Sequence, residues 1–374
     1  MKAITHRFVT SPLGLAEEHQ FRPFFAKVFG VPTLHICDKN LAEKVLIDMS
    51  DKLSGKAGNR TVAQALFGSS LLYDDGPSHA RLRDQLSDIF SIRVQTVEQV
   101  SREITLSIAH QYRARAPMRA LDFFRCLAVS LTCRHFLDII PDFGECEWLS
   151  RKIDELGIGL YASSQSTHPR SRFQRANAAR SEIDAFLIRR FPTTFGRQLE
   201  AKGLGERQIL DQAVTLLFAG VDTSSVTMTM AINELQRLGE TQHSAVAIKT
   251  AITTSLREYP PVYFIPRGAL EDVQLGDHVV RKGWNVNVMV HAVHHQPSDG
   301  TAAPAYLAFG LGKKRCPGEA FALLSSRSAL TTLLDTFFTE LSGGDMSKLA
   351  FMPGLRPTAS PFLGLGLRTN FVGE

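Results

Sequence analysis

Residues 309–322 read FGLGKKRCPGEAFA and set one cysteine, Cys316, between a glycine-rich turn and the start of a predicted helix. Pro317 suits the first helical position and Glu319 the first turn. Cys316 is therefore expected where free backbone N–H groups and the positive helix end favour a thiolate. Gly310, Gly312 and Gly318 surround it, and glycine lets a backbone take positive φ and approach a bulky planar group closely. A lone cysteine is ordinarily a small buried hydrophobe, so this setting marks a thiol with a chemical task.

The rest of the chain bounds what that task can be. With 374 residues, 44% of them hydrophobic and 21% charged, it can bury a large core and is not disordered by composition. The net charge of +5 is spread along the chain without a basic run bearing interleaved aromatics, which excludes the usual nucleic-acid binders. Cys37, Cys126, Cys133, Cys146 and Cys316 form no C-x-x-C pair. They fit neither a disulfide framework nor a zinc knuckle, and they point to a reducing cytoplasm. Charges interrupt residues 1–30 every few positions, so neither a signal core nor an anchor is expected there, and no other segment is expected to reach membrane-spanning length.

Apolar residues recur at helical spacing over 94–108, 172–191 and 210–238. Residues 273–293 instead alternate β-branched and polar positions around Arg281, Lys282 and Gly283, which predicts a hairpin. The expected fold is mainly α with a small β-sheet, in a single domain over 1–374 whose first seventy residues are the least determined.

The stretch FGLGKKRCPG resembles the haem-binding signature of the cytochrome P450 family, carried here by Phe309, Gly310, Gly312, Arg315, Cys316 and Gly318. The resemblance implies the cytochrome P450 fold and a haem b, iron protoporphyrin IX, with the Cys316 thiolate as axial ligand and Arg315 at a propionate. In residues 216–230, LLFAGVDTSSVTMTM, an acid and a hydroxyl interrupt an otherwise apolar helix. That is costly unless they serve a polar pocket, and a local distortion admitting water or dioxygen is expected there. The run Ala219, Gly220, Val221, Asp222, Thr223 is similar to the family's oxygen-activating helix, which implies Asp222 and Thr223 as proton relay.

His79 and Arg83 lie four apart on one predicted helix face and match the family's H-x-x-x-R propionate contacts. Arg267 is implied at the other propionate. The resemblance also implies an apolar substrate wall of Phe67, Leu216, Val262, Phe264 and Phe362. Lys313, Lys314 and Arg315 would form a basic patch on the cysteine side, where an acidic ferredoxin-type electron donor docks. The histidines His291, His294 and His295 lack a nearby carboxylate or cysteine in sequence and are expected to be exposed at a strand end, not to bind metal.

One family feature is missing. Before the double proline the family carries Glu-x-x-Arg, whose members join a buried ion cluster with an arginine of the loop ahead of the signature. Here the frame reads Thr254, Ser255, Leu256, Arg257, and the short loop between Gln296 and Phe309 contains no arginine. Glu234 and Arg237 have the right spacing, but they precede no Pro-Pro and are rejected as a substitute. Losing several members of an ion cluster together is tolerated better than losing one. Arg257 is then expected to find backbone carbonyls or the Thr254 hydroxyl, and the haem to be held less tightly.

The function so implied is a soluble, cytoplasmic monooxygenase that takes electrons from a separate partner to oxidise a small, largely apolar, biosynthetic molecule. Redox-neutral rearrangement and oxidative coupling share the same cofactor. A non-catalytic haem-binding regulator is the third possibility.

Overall fold

The computed structural model describes every residue except 59–60, 92, 116, 163, 240–243, 298–305 and 369–374. It is built on one long helix, Glu206–Arg237. Threonine and serine recur along this helix, and burying them would be costly if their hydroxyls stayed unbonded. Thr215, Thr227 and Thr229 each return a hydrogen bond to the carbonyl four residues earlier, at 2.7–2.8 Å. The hydroxylated face can therefore pack inside the core.

Against this helix lie Ala120–Thr132, Phe143–Gly159, Arg172–Ile188 and Ala245–Glu258. Their starts are fixed locally: Asp142 and Glu145 form a reciprocal capping box, and Ser171 and Ser244 cap the next two helices. The predicted helices at 94–108, 172–191 and 210–238 appear as Val94–Arg113, Arg172–Ile188 and Glu206–Arg237. Phe123, Phe124, Leu217 and Leu235 are fully buried in the shared core, and each such side chain contributes about 1.5–3 kcal/mol.

The central helix also corrects one expectation. By length and composition it is apolar enough to cross a membrane, although most of it is buried inside the protein.

A five-stranded sheet flanks the helices in the order β1 (Phe24–Val28), β2 (Val31–Ile36), β7 (Asn285–Val288), β4 (Ile265–Ala269), β3 (Leu53–Ser54). The predicted 273–293 hairpin is only partly present. β5 (Val273–Leu275) pairs with β6 (His278–Val280) across a turn at Gly276. β7 instead joins β2 in parallel and β4 antiparallel, because Val286 and Val288 bury against Leu34 and Ile36. Residues Val290–His294 are a short helix. β8–β11, at Phe337–Ser342, Asp345–Ala350, Arg356–Ala359 and Phe362–Leu367, form two small antiparallel pairs.

His291 and His294 are buried on that short helix, not exposed at a strand end, and His35 is fully buried in β2. Burial pulls the pKa of His35 and His291 to about 3 and that of His294 to about 4, from the ordinary 6.5. The folded chain therefore keeps them neutral while the unfolded chain protonates them. Stability should fall as pH drops from about 6.5 towards 4, by roughly 1.4 kcal/mol per pH unit for each histidine. A calorimetric Tm series that stays flat across that window would contradict their neutral burial.

Candidate active site

The segment Leu307–Gly318 forms a loop held at several points. Leu307 accepts from the Gly310 N–H and Phe309 accepts from the Cys316 N–H, both at 2.9 Å. Gly310 and Gly312 have φ of +67° and +68°, so both need the freedom expected of them. At Gly312 a Cβ would also lie 2.4 Å from the Leu46 carbonyl oxygen, so this glycine lets the loop lie on the helix Lys39–Ile47. Gly318 has an ordinary φ of −86° and caps the helix Glu319–Thr336. That helix starts two residues later than Pro317 suggests.

Cys316 is the one solvent-reachable cysteine of the five. Its surroundings still raise its thiol pKa: burial dominates, while the Gly318 N–H, Arg83 and Arg315 pull the other way. The helix end by itself does not offset that burial. A bound metal ion would supply the missing charge, since coordination deprotonates a thiol outright.

The cations around the loop divide unexpectedly. Arg315 turns outward onto Glu319 at 2.8 and 2.9 Å. Lys314 points inward and bonds Asp75 at 2.8 Å as well as the Asp74 carbonyl. Lys314 thus faces inward while Arg315 faces out, and the expected surface patch keeps only Lys313 and Arg315 exposed. Arg83 donates to the Arg315 carbonyl at 2.8 Å, tying the helix Gly76–Gln85 to the loop. His79, on the same helix, is buried, and burial with Lys314 and Arg83 nearby brings its pKa to about 4.

Arg267 is 8% exposed, and among the described residues its guanidinium makes one hydrogen bond, to the Pro266 carbonyl at 2.9 Å. Burial lowers its pKa and Asp75 opposes this. Burial also lowers that of Lys314, despite Asp75. The buried Arg267 and the inward Lys314, on either side of Asp75, fit an anionic ligand such as a pair of propionates. Lys314→Met is expected to release haem roughly tenfold faster and Arg315→Met to leave the rate nearly unchanged. Transfer to an apoglobin acceptor measures both; equal effects would count against the inward lysine.

The central helix is continuous across Ala219–Thr223. The expected break is absent, and the Thr223 hydroxyl instead donates to the Ala219 carbonyl at 2.6 Å. Ala219 is exposed although Leu217, Val221 and Ser225 are buried, so one turn of the helix faces open space. Gly220 has a packing reason: a Cβ there would lie 3.0 Å from the Thr132 hydroxyl.

Asp222 is not free. It accepts from Arg125 at 2.5 and 3.1 Å, and Arg125 also reaches Asp154 at 3.0 Å, which in turn pairs with Arg356. Burial would depress the Arg125 pKa, but Asp222 and Asp154 outweigh it and raise it. Arg125 carried no sequence signal beyond being a charge in the apolar run ALDFFRCLAVSLT.

The five expected pocket residues do not form one wall. Phe67 is fully buried against Tyr73 and Phe218. Phe264 packs with Phe8 and Tyr263 in a separate cluster near the N-terminus. Leu216 borders the main core. Val262 and Phe362 are exposed, the latter under the Arg119 guanidinium at 4.3 Å.

Thr254 lines a cavity of about 330 Å³ with Glu234, Arg237, Glu258 and Tyr259. Glu234 and Arg237 bond each other at 2.8 and 3.0 Å. Neither a carbonyl nor the Thr254 hydroxyl receives the Arg257 guanidinium among the described residues. The expected loop arginine's position, within 298–305, lies outside them. The histidines have a carboxylate after all, since His295 meets Glu258 at 3.0 Å. No metal-holding group of three appears among the described residues.

The cytochrome P450 family profile matches residues 248–361. A cholesterol 22-monohydroxylase of Paris polyphylla is 24% identical over 80% of this chain and 76% of its own. A cyclooctat-9-en-7-ol 5-monooxygenase of Streptomyces melanosporofaciens is 21% identical over 79% and 78%. The solved structure of a retinoic acid bound cyanobacterial CYP120A1 superposes with a TM-score of 0.81 at 19% identity, covering 98% of this chain and 96% of that one. The chain thus has the cytochrome P450 fold, and the family profile covers the segment that carries the Cys316 loop. The relatives it resembles are named as a monohydroxylase and a monooxygenase.

Proposed function

We propose that the chain is one catalytic domain of a cytoplasmic monooxygenase, with Cys316 as the axial ligand, that oxidises a small, largely apolar molecule using electrons from a separate donor. The observation that carries this is the exposed Cys316 in a loop backed by the inward Lys314 and by the buried Arg267, whose guanidinium bonds only the Pro266 carbonyl among the described residues. When bound, haem supplies the activation of dioxygen and oxygen insertion. The chain's own residues hold and protonate: His79, Arg267 and Lys314 receive the propionates, and Gly318 N–H bonds the sulfur.

Thr223 and Asp222 stand as the proton relay beside the exposed turn at Ala219, with the Asp222 carboxylate held by Arg125. An apolar substrate is supported by relatives named for cholesterol and cyclooctat-9-en-7-ol. Exposed Lys313 and Arg315 suit an acidic ferredoxin-type donor. The test is dioxygen consumption by the haem-loaded protein with an apolar substrate. Strict dependence on reductant supports the reading; turnover without reductant favours rearrangement, and none with any donor favours the regulator.

A further inference from the structure

Buried His294 joins the end of the helix Ala245–Glu258 to the loop that carries Cys316. The Leu307 backbone nitrogen can only donate, and it lies 2.8 Å from His294 Nε2. Nε2 is therefore the unprotonated nitrogen, and Nδ1–H donates to the Arg257 carbonyl at 2.9 Å. Burial favours this neutral form. Leu307 then accepts from Gly310, and Phe309 accepts from the Cys316 N–H. An unbroken series of hydrogen bonds and backbone thus runs from the helix end to the cysteine.

We propose that His294 is a positioning residue that clamps the Cys316 loop to the helix Ala245–Glu258, in place of the ion cluster that Thr254 and the short loop lack. The groups facing it are Arg257 and Glu258 from that helix, His291 and His295 from its own, and Tyr306 from the loop, whose ring stacks on it at 5.9 Å and 5°. His295 supports it by meeting Glu258. An imidazole suits the position because one rigid ring presents a donor and an acceptor on opposite sides and needs no charge inside the core. The proposal rests on Cys316 being the haem ligand.

The test compares His294→Gln with His294→Asn. Glutamine can set an amide donor and a carbonyl acceptor at the two ring-nitrogen positions, whereas asparagine reaches only the nearer one and strands the Leu307 N–H. The readouts are hydrogen exchange at the Leu307 amide, haem transfer to an apoglobin acceptor, and the share of the reduced carbon monoxide complex with a thiolate-type band. His294→Gln should match the wild type within about twofold. His294→Asn should lose protection at Leu307, release haem roughly tenfold faster and shift the band towards the neutral-thiol form, with unchanged far-ultraviolet circular dichroism.

Equal behaviour of the two variants, or loss of folding in His294→Gln, would overturn the clamp. A wild type without any thiolate band would instead fault the ligand assignment, while Leu307 exchange would still report on the clamp.

Discussion

Cys316→Ser is expected to abolish the red-shifted band of the reduced carbon monoxide complex and to reduce turnover to background, with the fold intact. The structure gives the reason the fold should survive. Cys316 is solvent-reachable, and the bond holding it to Phe309 runs through its backbone N–H, which serine keeps. A serine hydroxyl ionises far less readily than a thiol and is a poor partner for iron. Cys133→Ser is expected to behave oppositely. Cys133 is fully buried in the main core, and burial pushes its thiol up to about 12. A hydroxyl there should lower stability by about 1–3 kcal/mol and leave the band in place. A Cys316→Ser protein that kept the thiolate band would end the assignment.

What was legible in the sequence was whatever local pattern fixes. The helices 94–108, 172–191 and 210–238 follow from a spacing that depends on nearby residues alone, and the glycine-cysteine loop carries its own turn chemistry. The partnering of strands was less legible: β7 pairs with β2, about 250 residues away, and no local alternation distinguishes that from pairing with its neighbour β6. Side-chain direction was illegible too. Lys314 and Arg315 are adjacent and both basic, and only the placement of Asp75 and Glu319 decides which one turns inward. That Phe67 and Phe264 pack into two separate cores was illegible because apolar residues serve a core as readily as a ligand. Arg125, Asp154 and Arg356 were invisible for the same reason, since their meeting at Asp222 is purely tertiary.

That meeting supports the second large prediction. Arg125 neutralises Asp222 and Asp154 from within the core, so Arg125→Leu should leave two carboxylates facing each other with only Arg356 in reach. Breaking a buried ion pair by removing one partner costs about 3–5 kcal/mol, and the loss should appear directly in denaturant unfolding. Asp222→Asn removes one negative charge and leaves Arg125 bound to Asp154, so its stability cost should be smaller. Its catalytic cost should be larger: the proton relay beside Thr223 loses its carboxylate, and turnover should fall about 10²-fold or more, within the range typical of general acid–base residues. The two variants thus separate two roles of one ion pair. If Arg125→Leu were stable but inactive and Asp222→Asn unstable but active, the pair would be structural at Asp222 and functional at Arg125, the reverse of what the geometry implies. Arg125→Lys is the control, because it keeps the charge but cannot bond Asp222 and Asp154 with one planar fork, and it should fall between the wild type and Arg125→Leu in stability.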